Sequence, residues 1–453
     1  MIGVETLFLV AVLAFISAIV YILVGVLPGT DETATMAPIA LALLIAGLDP
    51  LIVLAWFLAS IIAFKAADAI PVALAGIPGG VMAVPQVPDA VEAKRAGKAD
   101  VILRKGVTSS MVASFIALVL VLVLAFYIKP LGDFLNIRDD IAGVAVPRWF
   151  WLLLGGLLIL ALTSKNKLLA LLTIPTFAIL VQGLRLAYEK NVIISFFLGI
   201  TIGPLVVELL EVLSGYARDR IRRGYMSVKL EPVSVIPLNP LKHLSREELA
   251  HVLFWSPITS VLAMVMSPVG LTILIGDLIK GLKRTPLEAS ILAYTVRDGV
   301  KNATYIGGLL IPLLVIGSPT GPMSAGPGLP FFTEIGGVVP AKYITSNYSH
   351  LEISVALLLS AVIASLVVYP ILIRYSRRLT LLVFKSVPAE SLYGLFLSIV
   401  VLLAYYDAGL RGVLGVLVVS MVSGILWRNG VSLGVLFMTL VAAPTIFAFI
   451  KLI

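Results

Sequence analysis

The sequence predicts an all-α polytopic membrane protein made of two inverted-topology repeats with discontinuous helices and re-entrant segments. Of its 453 residues, 60% are hydrophobic and only 13% are charged, too few charges for the surface of a soluble protein of this size. Uncharged stretches at 109–128, 353–373 and 431–450 are each about 20 residues long, enough to cross a bilayer as a helix. The alternating ten-residue segments of a transmembrane β-barrel are absent, so helices are expected to cross the membrane.

The first hydrophobic segment, at 7–27, is expected to be a membrane helix rather than a signal peptide. It has no basic region before it, and another hydrophobic segment follows at once. The net charge of +8 comes from basic residues in short loops between apolar segments. There they set membrane topology, so nucleic acid is not expected as a partner.

Prolines reveal an internal repeat. Six pairs are separated by 240 or 241 residues: Pro28 and Pro268, Pro71 and Pro312, Pro78 and Pro319, Pro130 and Pro370, Pro147 and Pro388, Pro204 and Pro444. A constant spacing of this kind indicates one structural unit used twice. The expected organisation is a first repeat at 1–213, a basic connector at 214–249 and a second repeat at 250–453.

Charge in the loops favours opposite orientations for the two repeats. The loop at 92–105 carries five basic residues, whereas its counterpart at 334–352 carries only Lys342. Basic loops remain in the cytoplasm, so paired loops with unequal charge predict inversion. Both termini are then expected outside the plasma membrane, and the connector inside.

Helix breaks at repeat-related positions predict a binding site near the middle of the membrane. Pro28 and Pro268 interrupt apolar runs, as do the two Ile-Pro elements that follow, and the freed backbone groups are tolerated where they line a site. The break residues expected to bind substrate are Gly29, Thr30, Pro78, Gly79, Gly80, Ser318, Pro319, Thr320 and Gly321. The alternative is that these prolines serve helix packing alone.

Charged residues inside apolar segments are costly and usually mark function. We expect the acidic residues to hold the coupling ion, with Na⁺ possible near the first of them: Asp31, Glu32, Asp68 and Asp298. We expect the cationic and amide residues to contact an anionic substrate: Lys65, Arg297, Lys301 and Asn302. Two structural alternatives remain open. Lys65 and Asp68, three apart on a helix, could neutralise each other, and Arg297 with Lys301 could lie at a cytoplasmic helix end.

An enzyme is not expected. The three histidines, His243, His251 and His350, show no metal-ligand spacing with carboxylates. The sequence also lacks a P-loop for ATP and a Gly-x-Ser-x-Gly nucleophile motif. No cofactor is predicted apart from a coupling cation.

The ordered motifs resemble the large membrane subunit of tripartite tricarboxylate transporters, the TctA family. The resemblance rests on the segments 24–29, 47–51, 76–79 and 94–99, and in the second half on Asn302 and 307–314. It implies a secondary transporter, driven by Na⁺ or H⁺, that imports citrate and related carboxylates. It also implies two partners, a small membrane subunit and an extracytoplasmic solute-binding protein.

The chain departs from the family pattern at chemically important positions. Thr30 and Asp31 follow Pro28-Gly29 where the family has Leu and Gly, and Lys65 and Asp68 replace small residues. The function predicted is therefore import of a small organic anion, such as a di- or tricarboxylate, coupled to Na⁺ or H⁺. The alternatives are a lipid-linked anion carrier or flippase, and a structural membrane subunit without transport activity.

Overall fold

The computed structural model describes residues 3–27, 30–190, 192–213, 242–283, 285–386 and 389–452. Nine helices in these ranges are long and apolar enough to cross a membrane. Most of the described chain is helical, which confirms the prediction of a helical polytopic membrane protein. The predicted connector at 214–249 lies outside the described residues up to 241.

The described part of the first half contains ten helices, one 3-10 turn and one β-hairpin. They are α1 Val4–Val26, α2 Glu32–Ile45, α3 Pro50–Ala67, α4 Ala69–Ala75, the 3-10 turn Val81–Gln86, α5 Val87–Arg95, α6 Ala99–Tyr127, α7 Lys129–Asn136, β1 Arg138–Ile141, β2 Val144–Pro147, α8 Trp149–Thr163, α9 Lys167–Tyr188 and α10 Ile193–Leu213.

The described part of the second half contains nine helices, one π-helical turn and one 3-10 turn, and its order resembles that of the first half except at α7 and the hairpin. They are α11 Arg246–Leu262, α12 Pro268–Lys280, α13 Pro286–Ile311, the π-helical turn Pro312–Ile316, α14 Pro322–Ala325, the 3-10 turn Leu329–Phe331, α15 Pro340–Asn347, α16 His350–Ser386, α17 Ala389–Ala408, α18 Leu410–Arg428 and α19 Leu433–Ile450.

The two Ile-Pro elements end in the same way. Gly76 and Gly317 both have a φ of +74° and stop their helices in the left-handed conformation that glycine tolerates best. Four residues later, Gly80 and Gly321 are both extended, with φ of −142° and −134°. The matching backbone supports the repeat seen in the prolines.

The β-hairpin at 138–147 was not predicted, so the all-α expectation is incomplete at this point. The two antiparallel strands are joined by Ala142 and Gly143, both with positive φ. This is the geometry of a tight two-residue hairpin turn. Four-residue strands are too short to give a strong alternating pattern in the sequence.

The buried apolar residues form two clusters, and each cluster uses helices from both halves. The first bundle packs α1, α3, α6, α11, α13 and α16 together. The second bundle packs α8, α9, α10, α17, α18 and α19 together. Each bundle therefore takes three of these long helices from each half of the chain.

Contacts between loops define two faces at opposite ends of α6, which at 29 residues is roughly 43 Å long. Near its start, Lys105 pairs with Glu248 at 2.5 Å. Near its end, the carbonyl of Leu122 lies 2.7 Å from His350 Nε2, and Tyr348 donates to Asp49 at 2.7 Å. Lys105 and Glu248, from loops predicted to be cytoplasmic, meet at one end of α6. Asp49, Tyr348 and His350, from loops predicted to be outside, lie at the other end. The inversion of the repeats and the assignment of each face to a compartment both stay predictions.

Candidate functional site

The candidate site is built around α13, which passes through the first bundle with its charged residues buried. Arg297 is 3% exposed, and Asp298, Lys301 and Asn302 are fully buried. Lys301 and Arg297 lie well inside α13, so their placement at a cytoplasmic helix end is wrong. The helix α13 packs against α6, α11 and α12, so these side chains lie in the core of the first bundle.

Lys301 joins two carboxylates from different elements. Its ammonium pairs with Asp68, at the junction of α3 and α4, and with Asp298 at 2.6 Å. Asp298 also accepts hydrogen bonds from Gln86 Nε2 at 2.8 Å and from Ser110 Oγ at 2.9 Å. A buried ion pair needs such additional donors to offset its lost hydration.

Two glycines of the first Ile-Pro loop lie directly on Asp68. A Cβ added at Gly79 would be 2.8 Å from the Asp68 Cα and Cβ atoms. A Cβ added at Gly80 would be 3.3 Å from the Thr30 carbonyl oxygen and 3.6 Å from Asp68 Oδ2. The break after α1, the junction of α3 with α4 and the first Ile-Pro loop therefore converge on one small space. Within the described chain, Asp68 Oδ2 accepts no hydrogen bond.

Thr30 bonds back to the end of α1. Its hydroxyl donates to the carbonyl oxygens of Val24 at 3.1 Å and Leu27 at 3.0 Å. These carbonyls belong to the end of α1, where helical partners are missing. The Thr30 carbonyl is thereby presented to Gly80. Gly29, also predicted to bind substrate, lies outside the described residues.

Glu32 and Lys65 form a second buried pair, 2.6 Å apart. The Lys65 ammonium also lies 5.0 Å from the centre of the Tyr305 ring, a cation–π contact. The interpretation that Lys65 and Asp68 neutralise each other is therefore wrong. Their spacing on α3 would permit it, but α2 supplies the nearer partner of Lys65 and α13 that of Asp68.

Asp31 has a structural role that the sequence analysis did not anticipate. Its Oδ1 accepts from the backbone amides of Thr33 at 2.8 Å and Ala34 at 3.1 Å, which caps the start of α2. It is half-buried, whereas the neighbouring Glu32 is buried. A capping carboxylate already satisfies two backbone donors.

Arg297 belongs to a separate network, formed with residues of α5 and α12. It pairs with Asp89 and with Asp277 at 2.5 Å, and it donates to the Pro85 carbonyl at 2.9 Å. Lys280 pairs with the same Asp89 at 2.5 Å. Two cations and two carboxylates balance here, and the network fastens α5 and α12 to α13.

The second Ile-Pro loop has different neighbours from the first. Gly321 packs on the last residues after α11, because an added Cβ would lie 3.1 Å from the Ala263 carbonyl. Thr320 is fully buried, and its hydroxyl has no partner in the described chain. Ser318 and Pro319 are half-buried, as is Pro78 in the first loop.

A family model, described as the tripartite tricarboxylate transporter TctA family, matches residues 11–438. The chain belongs to this family. The match confirms the resemblance seen in the motifs and identifies the chain as a membrane component of a transporter rather than an enzyme. Comparison with curated proteins and with solved structures finds no match.

The buried centre of this TctA-family chain carries unequal charge. Around Lys65 and Lys301 lie three carboxylates, Glu32, Asp68 and Asp298, against two ammonium groups. With all five ionised, one negative charge is unbalanced. Among the described residues, no three His, Cys, Asp or Glu side chains cluster as ligands of a metal ion.

Sequence reasoning missed the residues that complete this centre. Gln86 and Ser110 both bond to Asp298, and Asp89 pairs with Arg297. Gln86 carried a usable signal, since it is one of only two glutamines in the chain. Ser110 carried none, because a serine in an apolar helix most often bonds to its own helix backbone.

Proposed function

We propose that this chain is the permease subunit of a secondary active transporter that imports a small organic anion, a di- or tricarboxylate, coupled to Na⁺ or H⁺. The observation that carries the proposal is a buried carboxylate oxygen of Asp68, in a centre where carboxylates outnumber ammonium groups by one. This oxygen, Oδ2, is fully buried beside a helix break without a hydrogen-bond partner in the described chain. A buried charge inside a membrane is costly and usually has a role in binding or transport.

The coupling cation is assigned to the space among Asp68, Thr30 and Gly80. A carboxylate oxygen and a free backbone carbonyl face this space, the two kinds of ligand that broken helices offer to Na⁺ in transporters. Glycine leaves room that any side chain would occupy. A proton would be taken up by the same Asp68 oxygen. Asp31, occupied as a helix cap, is the weaker candidate.

The substrate needs hydrogen-bond donors that are not already used. Lys65, Lys301 and Arg297 are each paired with carboxylates. Unpaired donor groups within the described chain include Asn302 Nδ2 and the hydroxyls of Tyr305 and Thr320. We propose that a substrate carboxylate takes over Lys65 from Glu32 when it reaches the adjacent Tyr305.

Cation binding would favour this exchange electrostatically. A cation at Asp68 removes the unbalanced negative charge, so an anion entering the centre meets less repulsion. The two ligands would therefore bind cooperatively, and each would raise the affinity of the other by the same factor. This is the coupling that a cation-driven anion importer requires.

The family also suggests the partners. We propose that a small membrane subunit and an extracytoplasmic solute-binding protein complete the transporter, with the binding protein on the face that carries Tyr348 and His350. Their absence would leave the chain able to bind substrate but slow to import it at low concentration.

Uptake into proteoliposomes tests the proposal. Labelled citrate and smaller carboxylates are offered to the chain alone, and then with both partners, with and without an inward Na⁺ or H⁺ gradient. Gradient-dependent uptake of one carboxylate is the expected result. Absence of uptake for every carboxylate with both partners present would refute the proposed function.

A further inference from the structure

A cavity of about 670 Å³ lies at the face where α6 ends. It is walled by the end of α6, by α7 and the start of the hairpin, and on the other side by α15 and the start of α16. Its volume falls within the range of about 300–1,000 Å³ that small-molecule sites occupy. It is distinct from the buried charges around Lys301, none of which lines it.

The charged residues that line this cavity are mainly cationic. Lys129 and Arg138 reach it from the first half of the chain and Lys342 from the second, against one carboxylate, Asp133. In the part of the chain that the structure describes, these four side chains form no ion pair with one another or with other residues. The lining thus has an excess of two positive charges, which a concave surface concentrates into an attractive field for anions.

The floor of the cavity is the segment of chain that directly precedes the helix break at Pro319. It is formed by the π-helical turn Pro312–Ile316, then Gly317 and Ser318. Asn136 fixes this floor by donating to the Ile316 carbonyl at 2.6 Å. Two residues beyond Ser318 lies Thr320, fully buried with its hydroxyl unpaired. A ligand in the cavity is therefore separated from the buried Thr320 hydroxyl by two residues of chain.

We propose that this cavity is an outer binding site for the organic carboxylate, occupied before the substrate enters the membrane. Lys129, Arg138 and Lys342 bind its carboxylate groups, and three separated cations favour a di- or tricarboxylate over a monocarboxylate. The proposal rests on the function proposed above for its ligand. It adds a site that is separate from the buried centre and formed jointly by both halves of the chain.

Thiol protection tests the site without requiring transport. The chain contains no cysteine, so Ser318→Cys places a single thiol on the cavity floor. Intact cells are treated with a membrane-impermeant thiol reagent, with and without citrate. Citrate is expected to slow labelling at Ser318→Cys, and acetate at equal charge concentration to slow it much less. Lys190→Cys, outside the cavity, serves as the control thiol and is expected to show no protection.

Replacing two cationic side chains of the cavity tests whether they bind the carboxylate groups of the substrate. In the Ser318→Cys chain, Lys129→Gln with Lys342→Gln is expected to raise the citrate concentration for half-protection about tenfold, equal to about 1.4 kcal/mol. The matched control, Lys190→Gln with Lys451→Gln, removes two lysines outside the cavity and is expected to leave protection unchanged.

Two results would overturn the outer site. One is labelling of Ser318→Cys that saturating citrate does not slow while the thiol reacts normally. The other is equal loss of protection in the cavity pair and the control pair. Because labelling reports binding alone, protection in a chain that imports nothing would uphold the outer site and count against the proposed function, so the two failures are distinguishable.

Discussion

Single residues in the buried centre are held by partners from other helices as well as from their own. Lys301 is paired with Asp68 and Asp298, and Lys65 with Glu32. The sequence identified all five residues, because charge inside an apolar segment is conspicuous. It could not pair them correctly, since local spacing favours Lys65 with Asp68 and only the packing of α3 against α13 and α2 decides otherwise.

Removal of the Lys301 charge is expected to destabilise the chain. Lys301→Met leaves Asp68 and Asp298 buried with reduced compensation, and breaking a buried ion pair costs about 3–5 kcal/mol. Thermal unfolding in detergent, followed by tryptophan fluorescence, should show a clearly lower midpoint. Adding Asp298→Asn should recover part of the loss. Equal midpoints for Lys301→Met and the exposed control Lys190→Met would contradict this prediction.

The space beside Gly80 is expected to determine affinity for the coupling cation. Gly80→Ala puts a Cβ between the Thr30 carbonyl and Asp68 Oδ2, and the extended backbone at this position accommodates alanine. We expect half-maximal activation of uptake to require about tenfold more cation, equal to about 1.4 kcal/mol. Gly155→Ala, on a helix with open space around it, is the control. Unchanged cation dependence in Gly80→Ala would place the cation elsewhere.

At the scale of elements, close helix contacts depend on small residues. In α10, Gly199 and Gly203 are four residues apart and face α18, where Val419 lies against Gly199, and Ser423 and Gly424 lie against Gly203. An added Cβ at Gly203 would be 2.8 Å from the Gly424 amide nitrogen. Small residues at this spacing let membrane helices pack with their backbones close together.

A bulky residue at this crossing should separate the two helices. Gly203→Leu is expected to destabilise the second bundle by about 1–3 kcal/mol, the usual cost of overpacking. Size-exclusion chromatography of the detergent-solubilised protein should show less monodisperse material after heating. Gly183→Leu changes a helical glycine in α9 that meets no atom within 4 Å and should be tolerated. Equal behaviour of the two variants would contradict the packing role.

The β-hairpin at 138–147 is expected to loosen in acid. Arg148 donates to both carboxylate oxygens of Asp139, at 2.8 and 3.0 Å, and these bonds hold the pKa of Asp139 below its usual value. A lowered folded pKa stabilises the hairpin above the ordinary Asp value of about 3.9. This contribution is lost as the pH falls through the lowered pKa.

Hydrogen–deuterium exchange of the hairpin amides measures this effect. After correction for intrinsic rates, protection should fall below about pH 4 in the native chain, the region where an Asp partner protonates. Asp139→Asn should lack this pH dependence, and Asp140→Asn should retain it. Protection that does not change with pH in the native chain would show that the Arg148 bonds do not hold the hairpin.

The elements themselves were predictable to different degrees. Membrane helices follow from long apolar runs, and the breaks at Pro78 and Pro319 follow from proline within two residues of glycine. The hairpin was missed because its strands are short, and the convergence of one break on Asp68 depends on packing across three helices. The capping role of Asp31 was not predicted, because a helix cap and an ion ligand use the same residue types.

At the scale of the whole molecule, most of the buried charges of the centre lie in the first bundle. Lys65, Asp68, Asp298 and Lys301 belong to it or to its turns, whereas Glu32 lies on α2, whose buried residues pack into both bundles. The pair of Glu32 with Lys65 therefore joins α2 to the first bundle. The repeat in the prolines predicted the halves, but the exchange of helices between halves to form two bundles could not be seen in sequence.

Asp68 is the proposed binding site of the coupling cation. The direct measurement uses proteoliposomes that contain either the native chain or Asp68→Asn. In each, carboxylate uptake driven by a cation gradient is compared with carboxylate exchange across the membrane. Asparagine removes the unbalanced charge and mimics the cation-bound centre, so uptake driven by the gradient should be lost while exchange continues. Asp407→Asn, a half-buried carboxylate bonded to Ser195 in the second bundle, should leave both unchanged. Gradient-driven uptake that persists in Asp68→Asn would contradict the account.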